Sequence, residues 1–232
     1  MRETVRTVVV LALTLAAGTA PLPAQNPGLP VYNMGVPRGI GLYGDIAFPN
    51  EAAGKGTAYG ATVRAGFGDL GATATVSADN PKGSGGTDMA GGGTLNYRLL
   101  GGPLVPLSVT LQAGFSYSKP GESFVTAPGG GGLPVQEHSL YRYPIGIGFA
   151  LVIPNPVLAI HPWLAPRVDI ARTSDNGSSN TETNFGLSGG LEFNLLNGFG
   201  IQAAYDRIFA KDGADPATFG LGAHYTFRVP GL

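Results

Sequence analysis

The sequence predicts an all-β fold: an antiparallel up-and-down β-barrel of about ten strands that spans a membrane. Three observations carry that expectation. Apolar residues recur at every second position in segments of about ten residues, the period of a strand with one apolar face. Behind the N-terminal region no run of about 18 apolar residues exists, so no helix is expected to cross a bilayer. Long and short connections alternate along the chain, as in a chain that passes up and down through a membrane. An eight-stranded barrel stays open if the first strand or the short segment at 71–78 fails to pair.

Composition narrows the alternatives. The chain has 232 residues, with 38 Gly, 19 Pro and no Cys. Hydrophobic residues make up 43%, too many for a disordered chain, while charged residues make up only 12%. The glycines have no three-residue period, which excludes collagen. Without cysteine there is no disulfide scaffold, thiolate metal site or cysteine nucleophile. A net charge of −1 with scattered Lys and Arg argues against a nucleic-acid partner.

Residues 1–24 read as a cleaved signal peptide. Arg2 and Arg6 precede a ten-residue apolar stretch at 8–17, and Leu22-Pro23-Ala24 suits signal peptidase. Ten apolar residues are too few to cross about 30 Å of hydrocarbon as a helix. Residues 25–38 read as a periplasmic lead segment, and residues 39–232 as the barrel domain.

The strands follow in order. Ile40, Leu42, Ile46 and Phe48 oppose Tyr43 and Asp45. Tyr59, Ala61, Val63, Ala65 and Phe67 oppose Gly60, Thr62, Arg64 and Gly66. Ala72, Ala74 and Val76 oppose Thr73, Thr75 and Ser77, and Leu95, Tyr97 and Leu99 oppose Thr94, Asn96 and Arg98. Leu107, Val109, Leu111, Ala113, Phe115 and Tyr117 alternate with Ser108, Thr110, Gln112, Gly114 and Ser116. Tyr143, Ile145, Ile147, Phe149 and Leu151 oppose Arg142, Pro144, Gly146, Gly148 and Ala150. Leu158, Ile160, Leu164, Val168 and Ile170 oppose His161, Trp163, Arg167 and Asp169. The clearest case is 185–195, where Phe185, Leu187, Leu191, Phe193 and Leu195 oppose Ser188, Glu192 and Asn194. Phe199, Ile201, Ala203 and Tyr205 oppose Gln202 and Asp206. The last strand sets Phe219, Leu221, Ala223, Tyr225 and Phe227 against Gly220, Gly222, His224 and Arg228. Long loops are expected near 49–56, 78–88, 119–139, 174–183 and 211–217. Tight turns are expected at 68–71, 101–103, 154–156 and at Asn197-Gly198, a dipeptide suited to a two-residue hairpin.

With this pattern the chain resembles the small outer-membrane β-barrel proteins of diderm bacteria. The resemblance covers nearly all of the sequence behind the signal and rests on pattern rather than on a sharp motif. It implies an integral protein of the bacterial outer membrane with membrane lipid as its surroundings. It also implies that the barrel-assembly machinery reads the C-terminal strand through Tyr225 and Phe227. One departure is visible: such barrels end on an aromatic residue, whereas here Pro230-Gly231-Leu232 follow. A soluble sandwich or barrel would place the apolar faces inward. The inner-face candidates here are mostly Gly, Ser, Thr and Ala, which suit a crowded lumen better than a solvated surface.

Most motifs that suggest chemistry dissolve in context. Gly39-Ile40-Gly41-Leu42-Tyr43-Gly44 matches a dinucleotide fingerprint but lies inside a strand with no helix after it. Gly54-Lys55-Gly56 lacks the Ser or Thr that a phosphate loop requires directly after its Lys. His138, His161 and His224 have no metal-ligand spacing, so neither metal nor cofactor is expected. Rim acids such as Asp79, Asp88, Asp212 and Asp215 with His138 leave an outer-membrane hydrolase as a remote reading.

Nine charges fall on the polar parity: Asp45, Arg64, Arg98, Arg142, Arg167, Asp169, Glu192, Asp206 and Arg228. A confined charge must find a partner or water, so an internal ion-pair network is expected. Arg98, Arg142 and Arg167 are expected to converge on Glu192 and Asp206. The expected role is an integral protein, structural or binding through its extracellular loops, with no enzymatic activity. A narrow channel for small polar solutes is the alternative, because many inward positions are only glycine. The loop at 119–139 is the candidate contact surface, its ligand unnamed by the sequence.

Overall fold

The computed structural model describes residues 28–227 apart from 38, 83–85, 103–104, 120–123, 127–131, 135–137, 154–157, 176–177, 196 and 212. The signal peptide, Arg228, the glycine run at 129–131, the 154–156 turn and Asp212 therefore lie outside the described residues.

Twelve strands are described: β1 Gly39–Pro49, β2 Gly56–Phe67, β3 Leu70–Pro81, β4 Asp88–Gly102, β5 Val105–Lys119, β6 Phe124–Thr126, β7 Gly132–Pro134, β8 His138–Leu151, β9 Leu158–Asp175, β10 Ser178–Leu195, β11 Phe199–Phe209 and β12 Ala217–Phe227. Ten of them close into one barrel, each paired antiparallel with its neighbours, and β1 meets β12. The small pair β6 and β7 stands apart, within the longest loop. Every expected strand is present, so the ten-stranded reading holds and the eight-stranded one falls.

The parity is that of a membrane barrel. Leu42, Val63, Leu111, Ile147, Leu164, Leu191 and Leu221 are exposed around the outer wall, whereas Asp45, Arg64, Gln112, Arg167, Ser188, Glu192 and His224 are buried. Within hydrocarbon only a closed ladder satisfies every backbone group without water, and closure here leaves no open edge across the span. Phe199 with Tyr225 lies near the short-turn ends of its strands, and Phe185 stacks on Phe209 where β11 ends, levels at which interfacial girdles form.

One connection departs from expectation. The loop expected at 174–183 is instead ladder: β9 and β10 run 18 residues each and stay paired up to Asp175 and Ser178. Spanning takes only about 9–11 residues, so this hairpin projects beyond the bilayer on the long-loop side. Ser, Thr and Asn supplied the loop signal, but threonine also pairs well in strands.

The wall thins on both sides of β8: toward β5 the register skips from Ala113↔Ile145 to Ser116↔Arg142 around Pro144, and toward β9 it skips as well. Ile160 exchanges both backbone bonds with Ile153, so even-numbered residues of β9 aim their N–H toward β8. Pro162 and Pro166 share that parity and have no N–H to give. The β8–β9 register accordingly skips from Gly146↔Arg167 to Phe149↔Leu164.

At the outer rim, Asn50 joins the first and last loops. Its backbone N–H donates to Ala217 O at 2.8 Å, its Nδ2 donates to Asp215 O at 2.9 Å, and its Oδ1 accepts from Ala217 N at 3.1 Å.

Candidate functional site

The lumen is the site that the strands build, and its main occupant comes from the chain itself. Residues 28–37 thread the barrel from one mouth to the other. Gly28 lies beside Ala58 and Asp79, and Leu29 packs with Ala47 and Ala58, all near the long-loop end. At the opposite end Val36 O accepts from Arg98 Nη2 at 3.3 Å, and Pro37 reaches the turn between β2 and β3 at Gly66 and Gly71. The sequence reading placed residues 25–38 outside the barrel as a periplasmic lead. That placement is wrong for 28–37; residues 25–27 and 38 lie outside the described residues.

The physical reason is space. An inner face of Gly, Ser, Thr and Ala cannot fill a ten-stranded lumen, and the N-terminal segment supplies the missing volume. Five wall glycines, Gly60, Gly66, Gly71, Gly148 and Gly220, are its footprint. A Cβ at Gly60 would lie 2.5 Å from Leu29 Cδ1, and one at Gly220 would lie 2.8 Å from Pro30 Cγ. At Gly148 it would meet the Asn33 amide, and at Gly66 the Pro37 carbonyl. These absent side chains mark contact with the plug, while Gly146 and Gly186 make room for Arg167 and Gly190 for Trp163, so neither set marks an open path.

The plug is also tied by polar bonds. Val31 N–H donates to Asp206 Oδ2 at 3.1 Å, and Tyr32 OH donates to Asp45 Oδ1 at 3.0 Å. Gln112 Nε2 donates to Tyr32 O at 3.0 Å and to Asn96 Oδ1 at 3.0 Å, while Gln202 Nε2 donates to Asp45 Oδ1 at 2.6 Å. Tyr32 and Met34 pack against buried Ala150, Trp163, Ala165 and Ala204.

Asp45 holds the plug at Tyr32, and the other lumen charges among the described residues divide into three groups. Arg142 grips Asp169 through two bonds, Nε to Oδ1 at 3.1 Å and Nη2 to Oδ2 at 2.6 Å. Arg167 bridges onward, with Nε 3.2 Å from Asp169 Oδ2 and Nη2 2.8 Å from Asp206 Oδ1. These four residues form an alternating, neutral row whose last carboxylate holds Val31. In the second group Glu192 stands between two histidines, 3.6 Å from His161 Nδ1 and 3.3 Å from His224 Nε2. Asn194 bridges the same two rings, Tyr43 stacks on His224 at 4.6 Å, and Arg64 lies 5.1 Å above the Tyr43 ring. The third is Arg98, which turns to Asp69 and Gly68 O at the short-turn end.

The expected convergence of three arginines on Glu192 and Asp206 is thus corrected. Arg167 reaches Asp206, Arg142 takes Asp169, Arg98 leaves for the turn, and Glu192 pairs with imidazoles. Strand register decides this: Pro144↔Asp169 places Arg142 two residues away along β8, and Glu192↔His161 sets those two side by side. Of the rim acids, Asp79 is buried beside Gly28, and Asp215 is bonded to Arg207 and to Ala210 N–H. These bonds hold the Asp215 carboxyl below the usual carboxylate range. Sequence reasoning missed Tyr32, Val31 and Asn33 as site residues. The available signal was the mismatch between lumen width and inward side-chain volume.

An apolar belt facing lipid, a polar interior, short turns at one end and long connections at the other define an integral barrel of the bacterial outer membrane. The chain belongs to the outer membrane protein beta-barrel domain family, whose model matches residues 9–227. No curated protein matches the sequence. Among solved structures it is similar to the translocator domain of the autotransporter NalP from Neisseria meningitidis, with TM-score 0.50 and 12% identity over 97% of this chain and 98% of that one. It is also similar to the N-terminal beta-barrel domain of Pseudomonas aeruginosa OprF, with TM-score 0.39 and 12% identity over 82% and 98%. Ail, the attachment invasion locus protein of Yersinia pestis, gives TM-score 0.39 and 18% identity over 82% and 100%. At such identities the likeness is one of fold.

Proposed function

We propose that this protein is a closed, non-enzymatic barrel that holds a rigid surface in the outer membrane and binds through its extracellular face. The observation that carries the reading is the lumen filled by residues 28–37, tied at Asp206, Asp45 and Gln112. A pore needs a continuous wet path, and packed backbone with buried side chains stands in its place. The long β9–β10 hairpin and the loop between β5 and β8 supply the outward surface, since loops and projections on a rigid scaffold carry recognition. Export by a signal peptide cut after Ala24, and insertion by the barrel-assembly machinery reading Tyr225 and Phe227, belong to the same proposal.

Planar-bilayer recording tests it. The wild type is expected to stay closed, and a variant lacking residues 28–37 to conduct if it inserts. Large, steady, ion-selective currents from the wild type would install the narrow-channel reading instead.

A further inference from the structure

The direction in which the plug runs has a topological meaning. Gly39 begins β1 at the short-turn end, beside Gly66. Going backward along the chain, Val36 and Pro37 lie at that end against Arg98 and Gly71. Gly35 lies by Ser108, Asn33 by Gly148, and Tyr32 by Asp45 and Gln112. Val31 meets Asp206, Pro30 meets Gly220, and Gly28 meets Ala58 and Asp79. These wall residues climb steadily from the short turns to the long loops. Ten residues in extended form reach about 33 Å, enough to cross about 30 Å of hydrocarbon.

We infer that the protein carries its own N-terminus through its lumen, so that the end left by signal cleavage lies on the outer face of the cell. Short turns face the periplasm and long loops face outward in such barrels, and Gly28 stands at the long-loop mouth. The segment is built for this passage. From Gln25 to Pro37 it contains no charged side chain; Arg38 is the first. It therefore brings no ion that would need a partner inside the wall. Pro30 and Pro37 favour an extended backbone in themselves and in the residue before each. The lumen in turn offers glycine where the segment crowds it and acceptors where its N–H and OH groups point. The barrel therefore exports a stretch of its own chain, and any extension placed before residue 28 emerges outside.

The chain has no cysteine, so single thiols report location without background. Asn26→Cys in intact cells, treated with a membrane-impermeant maleimide, is expected to label as strongly as the outer control Thr181→Cys. The turn control Asn197→Cys is expected to label only after the outer membrane is permeabilised. An epitope inserted between Gln25 and Asn26 gives a second readout, antibody binding to unbroken cells, and intact mass locates the cleavage site. Labelling of Asn26→Cys only after permeabilisation, with the epitope likewise hidden, overturns the inference. The outcome is separable from conductance: a surface-labelled barrel that conducts sinks the closed-barrel reading and keeps this one, and a silent barrel with a hidden N-terminus does the reverse.

Discussion

Replacing Asp206 by Ala tests the row of charges and the plug together. In the wild type Arg142, Asp169, Arg167 and Asp206 alternate in sign and sum to zero, with Arg167 and Asp206 almost fully buried. Removing Asp206 leaves two guanidiniums to share the Asp169 carboxylate and leaves Val31 N–H without its acceptor. Breaking a buried pair costs about 3–5 kcal/mol. Asp169 still holds Arg167 at 3.2 Å, so the electrostatic part belongs at the lower end, about 3 kcal/mol. The orphaned amide adds about 1 kcal/mol. The expected loss is about 4 kcal/mol, read as a shift in the urea midpoint for unfolding from lipid vesicles. Arg167→Met with Asp206→Ala leaves the neutral Arg142–Asp169 pair intact and should recover most of it. Asp206→Asn should fall between, because it keeps an acceptor for Val31. If Asp206→Ala lies within about 0.5 kcal/mol of wild type, the size of an ordinary surface change, neither the row nor the plug tether stabilises the barrel.

Other expectations follow from the same geometry. Leu191→Arg should cost about 2–4 kcal/mol near the bilayer midplane, because that side chain faces lipid. Thr110→Arg should be costly as well, since Thr110 is fully buried near Gly35; deleting residues 28–37 should relieve it but not Leu191→Arg, as refolding yields would report. Gly148→Leu should push Asn33 aside and lower stability by about 1–3 kcal/mol, the usual cost of overpacking, and raise plug protease sensitivity. At the outer rim the Asp215 carboxyl is held low by Arg207 and Ala210 N–H. Its contribution is present above the ordinary carboxylate range and is lost as pH falls through its lowered value. Exchange of the Ala210 amide, corrected for intrinsic rate, should stay slow down to that range and quicken only below it.

Much of the fold was legible because period two is a strong local signal. Leu191 and Glu192 announce their faces by parity alone, and Asn197-Gly198 announces a turn, although the Asn194↔Gly200 register leaves one residue more than a two-residue hairpin and only Gly198 of the pair takes positive φ, at 92°. The 174–183 segment misled because Ser, Asn and Thr read as loop when no apolar partner marks a face, yet the threonines suit a strand and the segment ladders once β9 stands beside it. The lumen charges were legible as a set but not as pairs, since pairing depends on stagger between strands. The plug was the least legible element. Val31, Asn33 and Gly35 carry no period that distinguishes a lumen thread from a solvated leader. Its presence follows only from counting what the inward residues of ten strands fail to fill.

The prolines of β5, β8 and β9 give the wall a mechanical character. A closed barrel in a bilayer is a hoop under lateral pressure, and its stiffness comes from the hydrogen bonds that join each stave to the next. The two joints of β8 are the weak ones: the joint to β9 lacks the donors of Pro162 and Pro166, and the joint to β5 lacks those of Pro144 and Pro106. Hydrocarbon offers no water to replace them. Deformation of the hoop, whether from bilayer thinning or from load on the projecting β9–β10 hairpin, therefore concentrates along β8. Behind it stands Asn33 of the plug, pressed against Gly148, as a brace on the inner side.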